Sequence, residues 1–496
     1  MNMKKLAATT LLALLSAAGP QEARAMDTFM LSSRAAGMGG AGVACSTDTS
    51  AQYYNPATFG FFARENRGPE EGGEENLARK DWGLEGNIGA GGRIHGDIGD
   101  FLDTLAAVDE DSLANNGIQS AEDIRSLIRL ADALSEIDDE RNAFSAQSGS
   151  GGAARFRHFG VGVYFSAQTA GWVSNLNLLQ LGVSSSDLSS EIEAQGADPG
   201  AVYSYQVFSP EQEAQLLAAG YSEPAIRILD QEAAGVGVLE NNSAQFAEIL
   251  VNIREQAGDA NINNNATTVI ANGFGLVEVP FTYGLAVNDH LAVGGNIKYM
   301  RGRVYGSSRR VMDDENDRFL DDIDSHYEET STFGVDVGVM GRLGIFQAGL
   351  VARHLNSPTF DGFHDATPVS GPPRQVAEVE VEPQATLGVA LLPTDTLTVA
   401  LDYDLTANPT IRPQYKTRFI RAGLEWDVIH FLALRLGVYE NLEEDDIGLV
   451  YTAGLGLNLW AVRLDVAGAY AADEVIFDEE EVPSEAYVMG RLAMDF

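Results

Sequence analysis

The chain has a single cysteine, Cys45, among its 496 residues, so no disulfide within the chain can stabilise it. Beyond the N-terminal region it has no run of about eighteen apolar residues, and this excludes membrane-spanning helices there. Basic residues are also scarce, because 32 Lys and Arg stand against 72 Asp and Glu, for a net charge of −40. Phosphate repels such a chain, so nucleic acid is excluded as a partner.

The N-terminus predicts export. Two lysines precede an apolar run, Leu6–Ala18, that is too short to span a bilayer as a helix. The tripeptide Ala23–Ala25 then offers the small-x-small pattern that signal peptidase cuts. We expect residues 1–25 to be a Sec-type signal peptide, cleaved between Ala25 and Met26. An exported chain without disulfides or helical spans is either a soluble periplasmic protein or an outer-membrane β-barrel.

Apolar and polar side chains alternate with period two in the second half of the chain, which predicts β-strands. Leu464 and Val466 share one face of a strand, and Arg463 and Asp465 share the other. Similar alternation occurs at 335–342, 397–405 and 420–426. A continuous apolar face opposite a face of Gly, Asp, Arg and Asn suits lipid outside a barrel and a polar lumen inside it. A soluble β-sandwich is the alternative.

Turn signals set the expected number of strands. Tight turns near 288–289, 344, 393–395, 427–429 and 459–460 alternate with longer polar segments. This is the pattern of a barrel whose tight turns face the periplasm. The turns delimit eleven strands from residue 272 to the end, and residues 81–95 and 154–170 add two. Because bacterial single-chain barrels have even strand numbers, we assign a fourteenth strand to the weakly alternating segment Trp172–Leu181.

The predicted fold class is therefore all-β, a 14-stranded antiparallel transmembrane β-barrel over residues 61–496. Two stretches, at about 97–150 and 186–265, have helical rather than strand periodicity, and we expect them to be helical extracellular inserts. Their apolar stripes either pack against one another or form a surface that captures hydrophobic ligands.

The final strand predicts how the chain reaches its membrane. Alternate apolar residues lead to Phe496, and a terminal phenylalanine of this kind resembles the outer-membrane assembly signal. We therefore expect the barrel assembly machinery and outer-membrane lipid as partners. The expected location is the cell outer membrane of a Gram-negative bacterium.

Motifs for chemistry are weak. Gly37, Gly39 and Gly42 match the spacing G-x-G-x-x-G, but no βαβ unit surrounds them, so we interpret them as glycines in closely packed backbone. The seven histidines are scattered without metal-ligand spacing, and no G-x-S-x-G motif occurs. We predict no enzyme activity, no cofactor and no metal.

One segment carries a family resemblance. The run Arg34–Ala44, followed by Asp48, Ala51 and Asn55-Pro56-Ala57, resembles the N-terminal signature of FadL-type outer-membrane proteins. That superfamily carries long-chain fatty acids and other hydrophobic compounds through a fourteen-stranded barrel closed by an N-terminal hatch. The resemblance implies that residues 26–60 form a luminal hatch. The residues expected to position it are Arg34, Met38, Gly39, Gly40, Asn55 and Pro56.

Further segments are similar to the outer-membrane TraF-like family of conjugal transfer. They are 351–360, 382–384, 401–406 and 435–437. The leading hypothesis is a FadL-like barrel that binds or passes a hydrophobic small molecule. The alternative is an outer-membrane component of conjugal plasmid transfer with a structural or interaction role.

Overall fold

A computed structural model describes residues 27, 30–62, 81–96, 98–99, 101, 118–136, 142–174, 188–238, 243–255, 267–310, 326–365, 373–429, 431–459, 462–477 and 480–496. The predicted signal peptide, with its cleavage site between Ala25 and Met26, lies outside these residues.

Among the described residues, fourteen antiparallel strands form one closed barrel, in which each strand pairs with the next along the chain. The strands are β1 Trp82–His95, β2 Ala143–Phe156, β3 Phe159–Ser174, β4 Thr268–Ala286, β5 Leu291–Arg310, β6 Tyr327–Leu343, β7 Phe346–Arg353, β8 Gln384–Thr394, β9 Leu397–Asp404, β10 Phe419–Asp427, β11 Leu432–Asn441, β12 Val450–Leu459, β13 Val462–Ala471 and β14 Glu485–Asp495. The barrel closes where β1 pairs with β14, from Gly83 opposite Asp495 to Arg93 opposite Glu485. The predicted fourteen-stranded barrel is confirmed.

The two faces of each strand follow the predicted alternation. Leu464 and Val466 are exposed on the outside, whereas Asp465 is buried inside. Exposed aromatic side chains also ring the barrel near the tight turns. They are Trp82, Phe156, Phe159, Tyr283, Phe346, Trp426, Phe431 and Phe496. A second set lies farther along the strands, at Phe144, Tyr299, Phe333, Tyr451 and Tyr470. An apolar band between two aromatic girdles is the exterior of a transmembrane barrel.

The predicted position of the fourteenth strand is wrong. That strand is β2, whereas Trp172 belongs to β3, where it pairs with Ala143. The strand predicted at 154–170 is instead a hairpin that turns at Arg157, which has a φ of 51°. The insert predicted at 97–150 therefore ends before Ala143. The sequence of β2 hides its strand because Gly, Ser and Ala occupy both of its faces, so apolar periodicity is absent.

Helices occupy the connections on either side of the β2–β3 hairpin. They are α3 Ala121–Glu136, α4 Leu188–Gln195, α5 Pro210–Ala218, α6 Glu223–Val236 and α7 Ser243–Glu255. Their buried apolar faces pack into one core that includes Leu127, Leu229 and Phe246. A capping box at Ser209, with Pro210 in the first turn, begins α5. No helix in the described part of the chain is long and apolar enough to cross a membrane.

The N-terminal segment, residues 30–62, contains two short helices, α1 Ser33–Gly37 and α2 Ala51–Tyr54, and a 3₁₀ helix at Pro56–Phe61. The long connections of the barrel also carry short two-stranded hairpins. One of them pairs Asn408–Pro409 with Lys416–Thr417.

Candidate functional site

The N-terminal segment fills much of the barrel lumen. Every residue from Leu31 to Phe62 is buried except Tyr53, which is partly exposed. The segment contacts the inward faces of strands on both sides of the barrel, including β3 and β4 on one side and β13 and β14 on the other. Because these strands present their apolar side chains outward, the segment meets the polar faces of the wall.

Glycines permit the closest approach between the segment and the wall. A Cβ atom on Gly37 would lie 3.0 Å from the Cα of Gly454. Gly39 has a φ of +68°, which favours glycine, and a Cβ there would lie 2.5 Å from the carbonyl oxygen of Val438. The backbone N–H of Gly39 donates to Thr452 Oγ1 at 2.9 Å. These contacts agree with the interpretation of the N-terminal glycines as closely packed backbone.

A chain of buried ion pairs joins the segment to four strands. Arg34 pairs with Glu425 on β10 at 2.5 Å, and Glu425 also pairs with Arg435 on β11 at 2.5 Å. Arg435 continues to Asp465 on β13 at 2.7 Å, and Asp465 lies 3.3 Å from Arg491 on β14. All five side chains are at most 5% exposed. Such pairs fix geometry because removing one partner leaves an uncompensated buried charge.

Asp48, which belongs to the N-terminal segment, pairs with the last arginine of this chain of ion pairs. Its carboxylate lies 2.8 Å from Arg491, which also pairs with Glu85 on β1 at 2.7 Å. Burial alone would raise the pKa of Asp48, but the guanidinium groups of Arg491 and Arg34 outweigh burial and lower it. Asp48 is therefore a carboxylate at neutral pH.

Two further anchors fix the middle of the segment. Asp402 Oδ2 on β9 accepts hydrogen bonds from the backbone N–H groups of Gly42, at 2.8 Å, and Val43, at 2.9 Å. Asn55 Nδ2 donates to the carbonyl oxygens of Val339, at 3.1 Å, and Val43, at 3.2 Å. Pro56 follows at the start of the 3₁₀ helix.

The C-terminal part of the segment lies at the tight-turn end of the lumen. Its aromatic rings contact side chains next to the turns of the wall. The Arg155 guanidinium lies 3.9 Å from the ring centre of Phe62, and Arg342 lies 4.5 Å from that of Phe61. His158 Nδ1 lies 3.0 Å from the carbonyl oxygen of Phe59. This end of the lumen is therefore occupied by a buried aromatic cluster.

A second buried charge cluster lies on β4, β5 and β6 and at His354, which directly follows β7. Lys298 Nζ lies 2.8 Å from Glu278, 3.2 Å from Asp336 and 2.8 Å from His354 Nε2. Gln52 of the segment reaches this wall by donating to Thr282 Oγ1 at 2.6 Å. The segment is thus held on opposite sides of the lumen by separate polar networks.

Toward the long-loop end, the segment leaves a luminal recess with a cavity volume of about 30 Å³. Its lining includes the apolar and aromatic side chains Met30, Tyr53, Tyr54, Phe419, Tyr439 and Tyr487, together with Arg93, Arg353 and Arg421. The guanidinium of Arg353 lies 5.0 Å from the ring centre of Tyr53, and that of Arg421 lies 4.8 Å from the ring of Phe419. Burial raises the pKa of Tyr53, so its phenol is neutral. We refer to this space as the luminal recess.

The site residues predicted from the sequence fall in different places. Arg34, Met38, Gly39, Asn55 and Pro56 are buried between the segment and the wall. Gly40, with a φ of +87°, also lines the luminal recess. Phe496 lies away from the lumen, with its ring stacked on Trp82 at 4.1 Å between centroids. The roles assigned to these residues stay predictions.

Sequence reasoning missed the wall residues that hold the segment. Glu425, Arg435, Asp465 and Arg491 stand on strand faces that alternation identifies as polar, but alternation does not reveal which of them pair across strands. No group of three or more His, Cys, Asp or Glu side chains within the described residues is arranged to hold a metal ion.

The family of the chain follows from its sequence. A family model described as "F plasmid transfer operon, TraF, protein" matches residues 52–404, more than half of the chain. The chain belongs to this TraF family. No curated protein matched it.

Solved structures with a similar fold include the toluene transporter TodX of Pseudomonas putida, with 10% sequence identity and a TM-score of 0.44 over 95% of this chain and 99% of that one. A FadL homologue of Pseudomonas aeruginosa also has 10% identity and a TM-score of 0.44, over 96% of this chain and 99% of that one. These TM-scores are too low to support an argument. The barrel fold of this TraF-family chain rests on its own strand pairing.

Proposed function

We propose that this TraF-family chain is an outer-membrane barrel that binds a hydrophobic small molecule in the luminal recess and passes it inward, with residues 26–60 as the hatch. In this proposal residues 1–25 direct export, and Phe496 directs assembly by the barrel assembly machinery into outer-membrane lipid. Passage makes and breaks no covalent bonds, so the proposed transport function is not enzymatic and needs no cofactor.

The exterior of the barrel supports a membrane location. Long side chains such as Leu464, Val466 and Ile297 are exposed around the outside, between the two aromatic girdles. In water a surface of this kind would aggregate, whereas lipid solvates it. The solved structures with a similar fold include proteins named as a toluene transporter and a monoaromatic hydrocarbon channel.

The luminal recess is the single observation that carries the ligand proposal. Much of the remaining lumen is filled by the segment and its ion pairs, whereas this space is lined by aromatic rings and Met30 together with arginine and aspartate side chains. Aromatic and thioether side chains bind apolar ligands, and the arginines of the lining can orient a polar end group. The chemistry of this lining matches a compound with an apolar body and one polar end.

Binding can be tested with purified protein in detergent and a fluorescent fatty acid as the probe. We expect saturable binding by the native protein and at least about tenfold weaker binding by Met30→Glu, because a carboxylate in the recess must be desolvated. Met30→Leu keeps an apolar side chain of similar volume and should bind like the native protein. Equal binding by Met30→Glu and the native protein would contradict the proposal.

A second candidate function rests on the family itself, whose description refers to a plasmid transfer operon. In this alternative the barrel is a structural or interaction component of conjugal transfer, and its helical connections contact other proteins. A mating assay with a deletion strain separates the two functions. Loss of plasmid transfer with unchanged uptake of hydrophobic compounds favours the conjugation role, and the reverse result favours transport.

A further inference from the structure

Ser145, His95 and Asp446 lie in one hydrogen-bonded line at the long-loop end of the barrel. His95 Nε2 is 3.1 Å from Ser145 Oγ, and His95 Nδ1 is 2.7 Å from Asp446 Oδ2. His95 is the last residue of β1, Ser145 is on β2, and Asp446 belongs to the connection between β11 and β12. Hundreds of residues of sequence separate Asp446 from the other two.

The surroundings fix the orientation of the histidine. His95 is 1% exposed, and its ring lies edge-on to Tyr415 with 5.0 Å between centroids. The Tyr415 hydroxyl donates to Asp446 Oδ1 at 3.2 Å, and Arg412 lies 3.6 Å from Asp446 Oδ2. Because a carboxylate only accepts hydrogen bonds, Nδ1 of His95 carries the proton. In the neutral ring, Nε2 is then free to accept the proton of the Ser145 hydroxyl.

Ser145 is partly exposed. It lines a small recess, with a cavity volume of about 30 Å³, that also contacts His95, Gln147 and Ile411. Gln147 stands two residues further along β2 on the same inward face as Ser145. Its side chain borders the same recess, so its amide can supply a hydrogen-bond donor for an oxygen that develops negative charge there.

We propose that Ser145 and His95 are catalytic residues that hydrolyse a carboxylic ester with an apolar acyl group, and that Asp446 is the positioning residue for His95. The arrangement has the three roles of a nucleophilic triad, a hydroxyl, a base and a carboxylate that orients the base. This activity goes beyond transport, since passage through the barrel requires no bond cleavage.

The reaction balances with water as the second substrate. Ser145 Oγ attacks the ester carbonyl carbon while its proton moves to His95 Nε2, and the tetrahedral intermediate places its oxyanion beside Gln147. Collapse breaks the bond to the alcohol, which leaves with the proton from His95. Water then attacks the acyl-serine and gives a proton to His95, and Ser145 leaves with that proton as the acid is released.

The alternative is purely structural, in that the His95–Asp446 pair only fastens a loop to the barrel wall. A purely structural pair does not require a nucleophilic serine. The reactivity of Ser145 toward an electrophile therefore distinguishes the catalytic role from the structural one. The folded protein in detergent is treated with a fluorophosphonate, which loses fluoride as phosphorus bonds to a nucleophilic serine, and the labelled residue is found by mass spectrometry. Hydrolysis of p-nitrophenyl butyrate is measured in parallel.

We expect label on Ser145 of the native protein and none at that position in Ser145→Ala, with ester hydrolysis in that variant at the detergent background. Ser148 is the matched control, because it lies on the same strand but faces outward, and Ser148→Ala should behave like the native protein. Heat-modified gel migration verifies that each variant is folded. Folded native protein that takes up no label at Ser145 would overturn the proposal.

Asp446→Asn tests the positioning role. An asparagine amide can donate to Nδ1 and so favour the other tautomer, which leaves Nε2 unable to accept the serine proton. We expect kcat to fall by a factor on the order of 10² to 10⁴ while KM changes little, and Asp446→Glu should restore part of the rate. A fall in thermal stability of Asp446→Asn with no change in kcat would show that the pair only fastens the loop, and would overturn the positioning role.

Discussion

Arg34 on α1 and Glu425 on β10 form a buried bidentate ion pair, with Nε 2.9 Å from Oε2 and Nη2 2.5 Å from Oε1. The same guanidinium donates through Nη1 to the carbonyl oxygen of Cys45 at 2.9 Å and to Thr47 Oγ1 at 3.0 Å. One side chain therefore joins the barrel wall to two parts of the N-terminal segment. Its loss should loosen the segment without altering the strand pairing of the barrel.

Arg34→Ala should increase the reactivity of Cys45, the only cysteine of the chain and a buried residue. Removing one partner of a buried ion pair costs about 3–5 kcal/mol, and here that cost falls on the packing of the segment. The measurement is the rate of maleimide labelling of the folded protein, which we expect to rise at least tenfold. Arg157→Ala removes an exposed arginine at a tight turn and should leave the rate unchanged. Unchanged labelling in Arg34→Ala would show that the ion pair does not hold the segment.

Gly39→Ala should destabilise the protein. The positive φ disfavours an L-residue by about 1–2 kcal/mol, and the new methyl group would meet the carbonyl oxygens of Val438 and Ala422. We expect the midpoint of heat modification to fall by several degrees. The control is Gly235→Ala on α6, where a Cβ meets nothing within 4 Å. That change should be neutral or stabilising by about 0.5–1 kcal/mol, because alanine favours helix.

Val466→Arg should impair folding into lipid. Val466 is 56% exposed on the outside of β13, and a basic residue on the lipid face of a barrel costs about 2–4 kcal/mol at the bilayer midplane. The measurement is the folded fraction in phospholipid vesicles as urea is diluted. Val202→Arg places the same charge on a fully exposed residue of the helical region and should fold normally. Normal folding of both variants would argue against lipid contact at β13.

Asp230→Ala should open the helical region. Asp230 is completely buried on α6, and its carboxylate accepts from the backbone N–H groups of Gln206, Val207 and Phe208 and from the Tyr203 hydroxyl, at 2.7 to 2.9 Å. Each buried donor left unsatisfied costs about 1–3 kcal/mol. Limited proteolysis should therefore cut near residues 203–208 at least tenfold faster.

Asp198→Ala removes an exposed carboxylate that pairs with Arg227, and it should not change the rate of cleavage near residues 203–208. Equal cleavage of Asp230→Ala and the native protein would mean that Asp230 does not hold this connection.

The barrel was predictable from the sequence because lipid imposes a simple rule on its strands. Leu464 and Val466 must face the bilayer, so Asp465 between them must face the lumen, and the same alternation together with the turns predicted eleven strands from residue 272 to the end. The rule failed at β2, where Gly152 and Ser150 take the outward positions instead of long apolar side chains. A strand built from small residues has no periodic signal even when its neighbours pair with it fully.

The site was predictable only in part, for a different reason. Arg34 and Asn55 belong to a local motif, so a resemblance could single them out. Their partners Glu425 and Val339 are hundreds of residues away and are brought near by the closure of the barrel. The grouping of Ser145 with His95 and Asp446 has the same origin, since the register of β1 on β2 and one long connection create it.

The most direct measurement of the proposed transport is the uptake of a radiolabelled monoaromatic hydrocarbon or long-chain fatty acid by cells that lack the gene. Complementation with the native gene should restore uptake, whereas a gene encoding Met30→Glu, expressed and folded to the same level, should restore much less. Uptake that is the same with and without the gene, across fatty acids and hydrocarbons, would contradict the proposal that the barrel passes hydrophobic molecules.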